Sequence, residues 1–247
     1  MLILVLASVV SAETVTVAAA ISLKDGLAKV AERYRADTGE SVEFTLGSSG
    51  QLASQIASGA PVDLFISAAN KQVNELVKQG LLDEATRKAI AGNALVLVVP
   101  ADATSPPASL KALADAGAGK VAIGEPRSVP AGQYAEQALR SAGVAEALKD
   151  RLVLGTNVRQ VLDYVERGEV SAGLVYATDA KVAGAKVRVA CEVAAGEHEP
   201  IVYPAAVVKA SRRRAAATKF LDYLASEKGQ ACLKEFGFTP PPQNSRK

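Results

Sequence analysis

The chain has 247 residues, of which 49% are hydrophobic, 22% charged and only 4% aromatic, and its formal net charge is +2. This composition excludes a disordered or collagen-like chain. The near-neutral balance, with acids and bases interspersed, leaves no electrostatic footprint for nucleic acid.

Residues 1–12, Met-Leu-Ile-Leu-Val-Leu-Ala-Ser-Val-Val-Ser-Ala, are apolar but too short to span a bilayer. The run ends in small residues ahead of Glu13, which reads as the remnant of a secretory signal peptide. Thr14-Val-Thr-Val17 and three alanines then make a strand at 14–20. A helix follows at about 22–36, with Leu23, Leu27, Val30 and Tyr34 on one stripe, until Gly39 stops it. A strand at 42–46 runs into Gly47-Ser-Ser-Gly50, which opens a helix carrying Leu52 and Ile56 and ending at Gly59. Next come a strand at 62–66 and a helix at about 69–79, closed by Gly80.

Asn93 to Pro100 is a continuous apolar strand, and a loop rich in proline, serine and threonine follows at 104–108. A crossover to a second lobe is placed near this loop. The alternation then resumes, with a strand at 121–123, a helix at 131–142, a strand at 152–154 and a helix at 158–167. In the last of these Val158, Val161, Leu162 and Val165 follow the i, i+3, i+4, i+7 template. Strands at 172–176 and 186–190 precede a longer one at 200–208 that can return between lobes. Helices at about 212–225 and 227–236 close the fold, and 240–247 reads as a flexible tail. The pattern predicts an α/β chain of two lobes, each a mixed, mainly parallel sheet flanked by helices. Lobe 1 takes 13–93 and 203–239, lobe 2 takes 94–202, and a cleft between them can close on a ligand.

Cys191 and Cys232 could pair in an exported protein, but Cys232 lies on an apolar helix face, which favours free thiols. The single histidine, His198, excludes a multi-histidine metal site and is assigned to a surface loop. Arg212-Arg213-Arg214 reads as a solvated helix face.

Four strand-to-helix turns stand out, at Ser22, at Ser49, at Pro130-Ala-Gly132 and at Thr156-Asn-Val158. A helix N-terminus carries unpaired N–H groups and a partial positive charge, and it binds oxyanions readily. Ser22 and Ser49 would add hydroxyl donors, Ala131 and Val158 could offer only their N–H groups, and Tyr176 ends a strand with a phenol. Taken singly, each is ordinary, since a serine before a helix is usually a cap and a strand tyrosine is usually core. Their combination, in order on a two-lobed chain, points to one small dianion.

In these segments the chain resembles the periplasmic molybdate-binding proteins of ABC importers, the ModA family. The resemblance rests on Ala18-Ala-Ala-Ile-Ser-Leu23, Gly47-Ser-Ser-Gly50, Gly59-Ala-Pro-Val-Asp-Leu-Phe-Ile-Ser-Ala68 and Val129-Pro-Ala-Gly-Gln-Tyr-Ala135. It continues in Asn157-Val-Arg-Gln-Val161, Ala172-Gly-Leu-Val-Tyr-Ala-Thr-Asp-Ala180 and Tyr203-Pro-Ala-Ala-Val-Val208, and it covers nearly all of 14–239. Ile21, between Ala20 and Ser22, departs from the family pattern. The resemblance implies the type II periplasmic-binding-protein fold. It implies molybdate or tungstate contacts at Ser22, Ser49, the backbone of Ala131, the backbone of Val158 and the hydroxyl of Tyr176. It also implies an inner-membrane permease with its ATPase as partner, a periplasmic monomer, no cofactor and no direct side-chain ligand to the metal.

A site of neutral donors favours a fully deprotonated dianion, because a protonated oxyanion needs an acceptor. Arg159 and Lys24, next to contact positions, are expected to face solvent or steer the anion. An enzyme reading fails for want of Gly-x-Ser-x-Gly, metal-ligand spacing or a phosphate-binding loop. Another oxyanion such as sulfate is the alternative ligand.

Overall fold

The computed structural model describes residues 14–115 and 119–242. The predicted signal segment at 1–12 lies outside them, as do residues 243–247 of the predicted tail. The chain runs β1 (Val15–Ala20), α1 (Lys24–Thr38), β2 (Val42–Gly47), α2 (Ser49–Ala57), β3 (Leu64–Ile66), α3 (Asn70–Lys78) and β4 (Lys88–Gly92). It continues through β5 (Leu95–Pro100), β6 (Val121–Gly124), α4 (Pro130–Ser141), α5 (Ala145–Leu148), β7 (Leu152–Gly155), α6 (Val158–Glu166), β8 (Ala172–Tyr176), α7 (Ala177–Ala183) and β9 (Val187–Glu192). It closes with β10 (Val202–Val207), α8 (Arg214–Ala225) and α9 (Glu227–Glu235).

The strands form two sheets, ordered β2-β1-β3-β10-β4 and β7-β6-β8-β5-β9. In the first, β1 pairs with β2 and β3 in parallel, and β10 pairs with β3 and β4 antiparallel. The second repeats the scheme, with β6 parallel to β7 and β8, and β5 antiparallel to β8 and β9. Each sheet is therefore mixed, and its antiparallel pairings are as many as its parallel ones. The passage between sheets falls at Asn93–Ala94, not at the proline-rich loop, because Leu95 onward already pairs with β8. The return falls between β9 and β10.

The elements follow from local chemistry. Leu27, Val30 and Tyr34 make the buried face of α1, with Leu23 just ahead of them, and the helix packs on α8 and α9. Gly39 ends that helix at φ +75°, where a residue with a side chain would be strained, and its N–H bonds to Arg35 O. In α6 Val158, Val161, Leu162 and Val165 are all buried, as their spacing requires. The alanines at the end of β1 are small enough for helices to pack close on both faces, and all three are buried. The periodicity gave no sign of β4 or α7, both of them alanine-rich and short. Pro240 and Pro242 lie against Gly92, so the start of the predicted tail packs on the end of β4.

The parallel part of each sheet points its carboxyl ends at the other lobe. Ala20 of β1 is in register with Gly47 of β2, and Gly124 of β6 with Gly155 of β7. The turns after these four strands are where a ligand sits in open α/β sheets.

Candidate functional site

Ser22 lies in a 3₁₀ turn, Ile21–Leu23, between β1 and α1. It is buried and caps nothing; its Oγ meets the Tyr203 hydroxyl at 3.1 Å. Ser49 is the first residue of α2, but Ser48 is the cap, accepting from Gln51 N at 3.3 Å. This leaves Ser49 Oγ free to accept from Ala68 N at 3.0 Å. Neither serine is thus used up as a helix cap.

Ala131 occupies the first turn of α4, directly after Pro130. A Cβ on Gly132 would lie 2.0 Å from Gly124 O, so only glycine lets this helix start seat on the end of β6. Val158 is the first residue of α6, whose cap Asn157 accepts from Gln160 N at 3.0 Å. N–H groups at such positions have no partner within their helix. Tyr176, ending β8, is buried, and its hydroxyl has no hydrogen-bond partner among the described residues. A buried hydroxyl left so is costly unless something outside the chain accepts from it.

Contacts across the lobes draw these positions together. Gly50 N donates to Ser128 O at 2.9 Å, joining the start of α2 to the loop before α4. Tyr134 of α4 donates to Ala68 O at 3.3 Å, beside the N–H that holds Ser49. The turn holding Ser22 packs on α6, and the rings of Tyr203 and Tyr176 lie 5.9 Å apart. All five predicted contact residues are buried, each at 3% exposure or less, and they lie along this seam.

Arg159 corrects one expectation. It does not face solvent; its side chain is 17% exposed and bridges two carboxylates. Nε donates to Asp179 Oδ1 at 2.6 Å, and an Nη donates across the seam to Asp25 Oδ2 at 2.8 Å. Nothing in the local sequence pattern marks a carboxylate partner from the other lobe. Asp179 also accepts from Tyr176 N at 3.3 Å, fixing the start of α7. Burial holds the Asp179 carboxyl up at about 6, outweighing the pull of the Arg159 guanidinium. Arg159 is thereby neutralised where it stands and brings no net positive charge. Lys24 is exposed, as expected.

Sequence reasoning gave no role to Asn93, Ala68 or Tyr203. Asn93 Nδ2 donates to Thr178 Oγ1 at 2.9 Å and to the Tyr203 hydroxyl at 3.1 Å. Tyr203 opens Tyr203-Pro-Ala-Ala-Val-Val208, one of the segments that carry the family resemblance, whereas nothing in the local pattern marks Asn93. His198 lies in the loop between β9 and β10, as expected, and is half-buried against the Tyr134 ring; Cys191 and Cys232 are both free thiols. Among the described residues no group of three or more histidines, cysteines or acids could hold a metal ion, and no helix is long and apolar enough to cross a membrane.

A family of bacterial extracellular solute-binding proteins matches residues 15–239. A putative ABC transporter substrate-binding lipoprotein of Bacillus subtilis, YvgL, is 41% identical over 92% of this chain and 86% of its own. The molybdate-binding protein ModA of Haemophilus influenzae is 39% identical, over 91% and 89%. Among solved structures, the periplasmic molybdate-binding protein of Azotobacter vinelandii superposes with a TM-score of 0.82 at 27% identity, covering 92% of this chain and all of that one. The two mixed sheets flanked by helices, the buried seam between them and these matches agree: the chain belongs to the bacterial extracellular solute-binding protein family.

Proposed function

We propose that this protein is the substrate-capturing component of a molybdate ABC importer. It holds molybdate, and tungstate nearly as well, between its lobes through Ser22, Ser49, Tyr176 and the N–H groups of Ala131 and Val158. The observation that carries the reading is the Tyr176 hydroxyl, buried at the seam with no hydrogen-bond partner among the described residues, near hydroxyls and helix-start N–H groups that can donate. Donors alone suit an anion that carries no proton. Partial charges of helix starts and hydroxyls disperse the dianion's charge with no ionised partner in contact.

The protein does no chemistry on its cargo. It works in the periplasm as a monomer and delivers the anion to a membrane permease driven by an ATPase. Neither a cofactor nor a nucleic acid takes part. Lobe 1, residues 13–93 and 203–239, and lobe 2, residues 94–202, move as units about the two crossings.

The test is a thermal shift series against molybdate, tungstate, sulfate and phosphate. At a thousandfold excess over Kd a ligand adds about 4 kcal/mol to stability. Molybdate and tungstate are expected to raise Tm alike, sulfate less, and phosphate not at all. Stabilisation by phosphate alone, or by sulfate above molybdate, would overturn the reading.

A further inference from the structure

Asn93 sits where the chain leaves the first sheet for the second. Its amide orientation is fixed, because Ala94 N donates to Oδ1 at 2.9 Å and an N–H can face only an acceptor. Nδ2 is thereby turned to Thr178 on α7 and to Tyr203 on β10. An amide NH₂ only donates, so the Tyr203 oxygen accepts. Tyr203 is fully buried, and burial keeps its phenol protonated far above the ordinary range. Among the described residues its proton has one acceptor left in reach, Ser22 Oγ at 3.1 Å. The Ser22 oxygen accepts that proton, and its own O–H is directed elsewhere.

We propose that Asn93 and Tyr203 are positioning residues that turn the Ser22 proton away from Tyr203 and into the seam, so that the first lobe presents a donor to a bare oxyanion oxygen. Ser49 Oγ likewise accepts, from Ala68 N, and keeps its own proton to give. The relay rests on the molybdate reading above and deepens it. Asn93 touches no ligand. It converts the fixed direction of a main-chain N–H into the direction of a hydroxyl two hydrogen bonds away.

The test is a double-mutant cycle read by calorimetric titration with molybdate, with phosphate measured by displacement. Asn93→Asp keeps the acceptor for Ala94 N but also presents an acceptor to Tyr203. Tyr203 then donates to it and accepts from Ser22, whose proton is withdrawn from the ligand. Molybdate affinity is expected to fall roughly 10- to 100-fold, the worth of one hydrogen bond to a charged group. The preference for molybdate over phosphate is expected to narrow, because Ser22 no longer gives its proton and meets the ligand with lone pairs alone.

In a Tyr203→Phe background, where no orientation can be passed on, Asn93→Asp is expected to cost under about threefold. Asn93→Leu, which adds no charge and guards against a misfolded aspartate variant, gives the same pattern at smaller amplitude. Equal costs in both backgrounds would mean simple charge repulsion or local damage and would overturn the relay. Failure of the unmutated protein to bind molybdate would instead overturn the functional reading.

Discussion

The two lobes meet the ligand seam with the same strand-to-helix turns but with different chemistry. In the first lobe the proposed donors are side-chain hydroxyls, Ser22 and Ser49, and each has a neighbour on its oxygen: Tyr203 for one, Ala68 N–H for the other. In the second lobe two of the three proposed donors are main-chain N–H groups at Ala131 and Val158, aimed by the helices themselves. A hydroxyl rotates and must be fixed by an outer partner, whereas a helix start is rigid and tolerates almost any side chain. The difference teaches where substitutions should hurt: side-chain exchanges in the first lobe, backbone exchanges in the second.

The sharpest way to break this contrast is Val158→Pro. Proline is at home in the first position of a helix, and the extended Asn157 before it suits it, yet it deletes the N–H. Oxyanion affinity is expected to fall about 100-fold or more, from one lost hydrogen bond to a charge plus a ring in its place. The fold should survive, as far-UV circular dichroism would report. An unchanged affinity by calorimetry would remove the second lobe's backbone from the site.

Gly50→Ala probes the join between the lobes. A Cβ there would lie 2.5 Å from Ser128 O, so closure must give way. Overpacking costs roughly 1–3 kcal/mol, or about 5- to 150-fold in affinity if only the closed state feels it. Alanine in a helix should leave the unliganded protein as stable or slightly more so. A loss of unliganded stability in a urea melt would show that the contact persists in the open form.

Ser49→Ala should weaken binding roughly 10- to 100-fold, and it also strands the buried Ala68 N–H at a cost of about 1–3 kcal/mol to the free protein. The smallest effect belongs to Tyr176→Phe. Its hydroxyl has no partner among the described residues, so removing it should not destabilise the free protein, while affinity falls about tenfold. A drop in unliganded Tm would show that the hydroxyl serves the fold, against the contrast drawn here.

Much of this architecture was legible in the chain. The stripes on α1 and α6, the glycine stops and the starts of α2, α4 and α6 follow from short-range periodicity and turn chemistry, which the sequence displays directly. The positions of Ser49, Ala131 and Val158 at helix starts were readable for the same reason.

What only the tertiary structure decided is which groups are aimed and which are neutralised. Ser22 and Tyr203 are 181 residues apart, and Arg159 and Asp25 are 134 apart, so no local pattern could join them. Arg159 turned inward because a carboxylate from the other lobe waits there, and the amide of Asn93 at the crossing donates to the same Tyr203 hydroxyl that meets Ser22. Local sequence fixes where a backbone N–H points. The direction of a hydroxyl or a guanidinium depends on partners that only the packed lobes bring within reach.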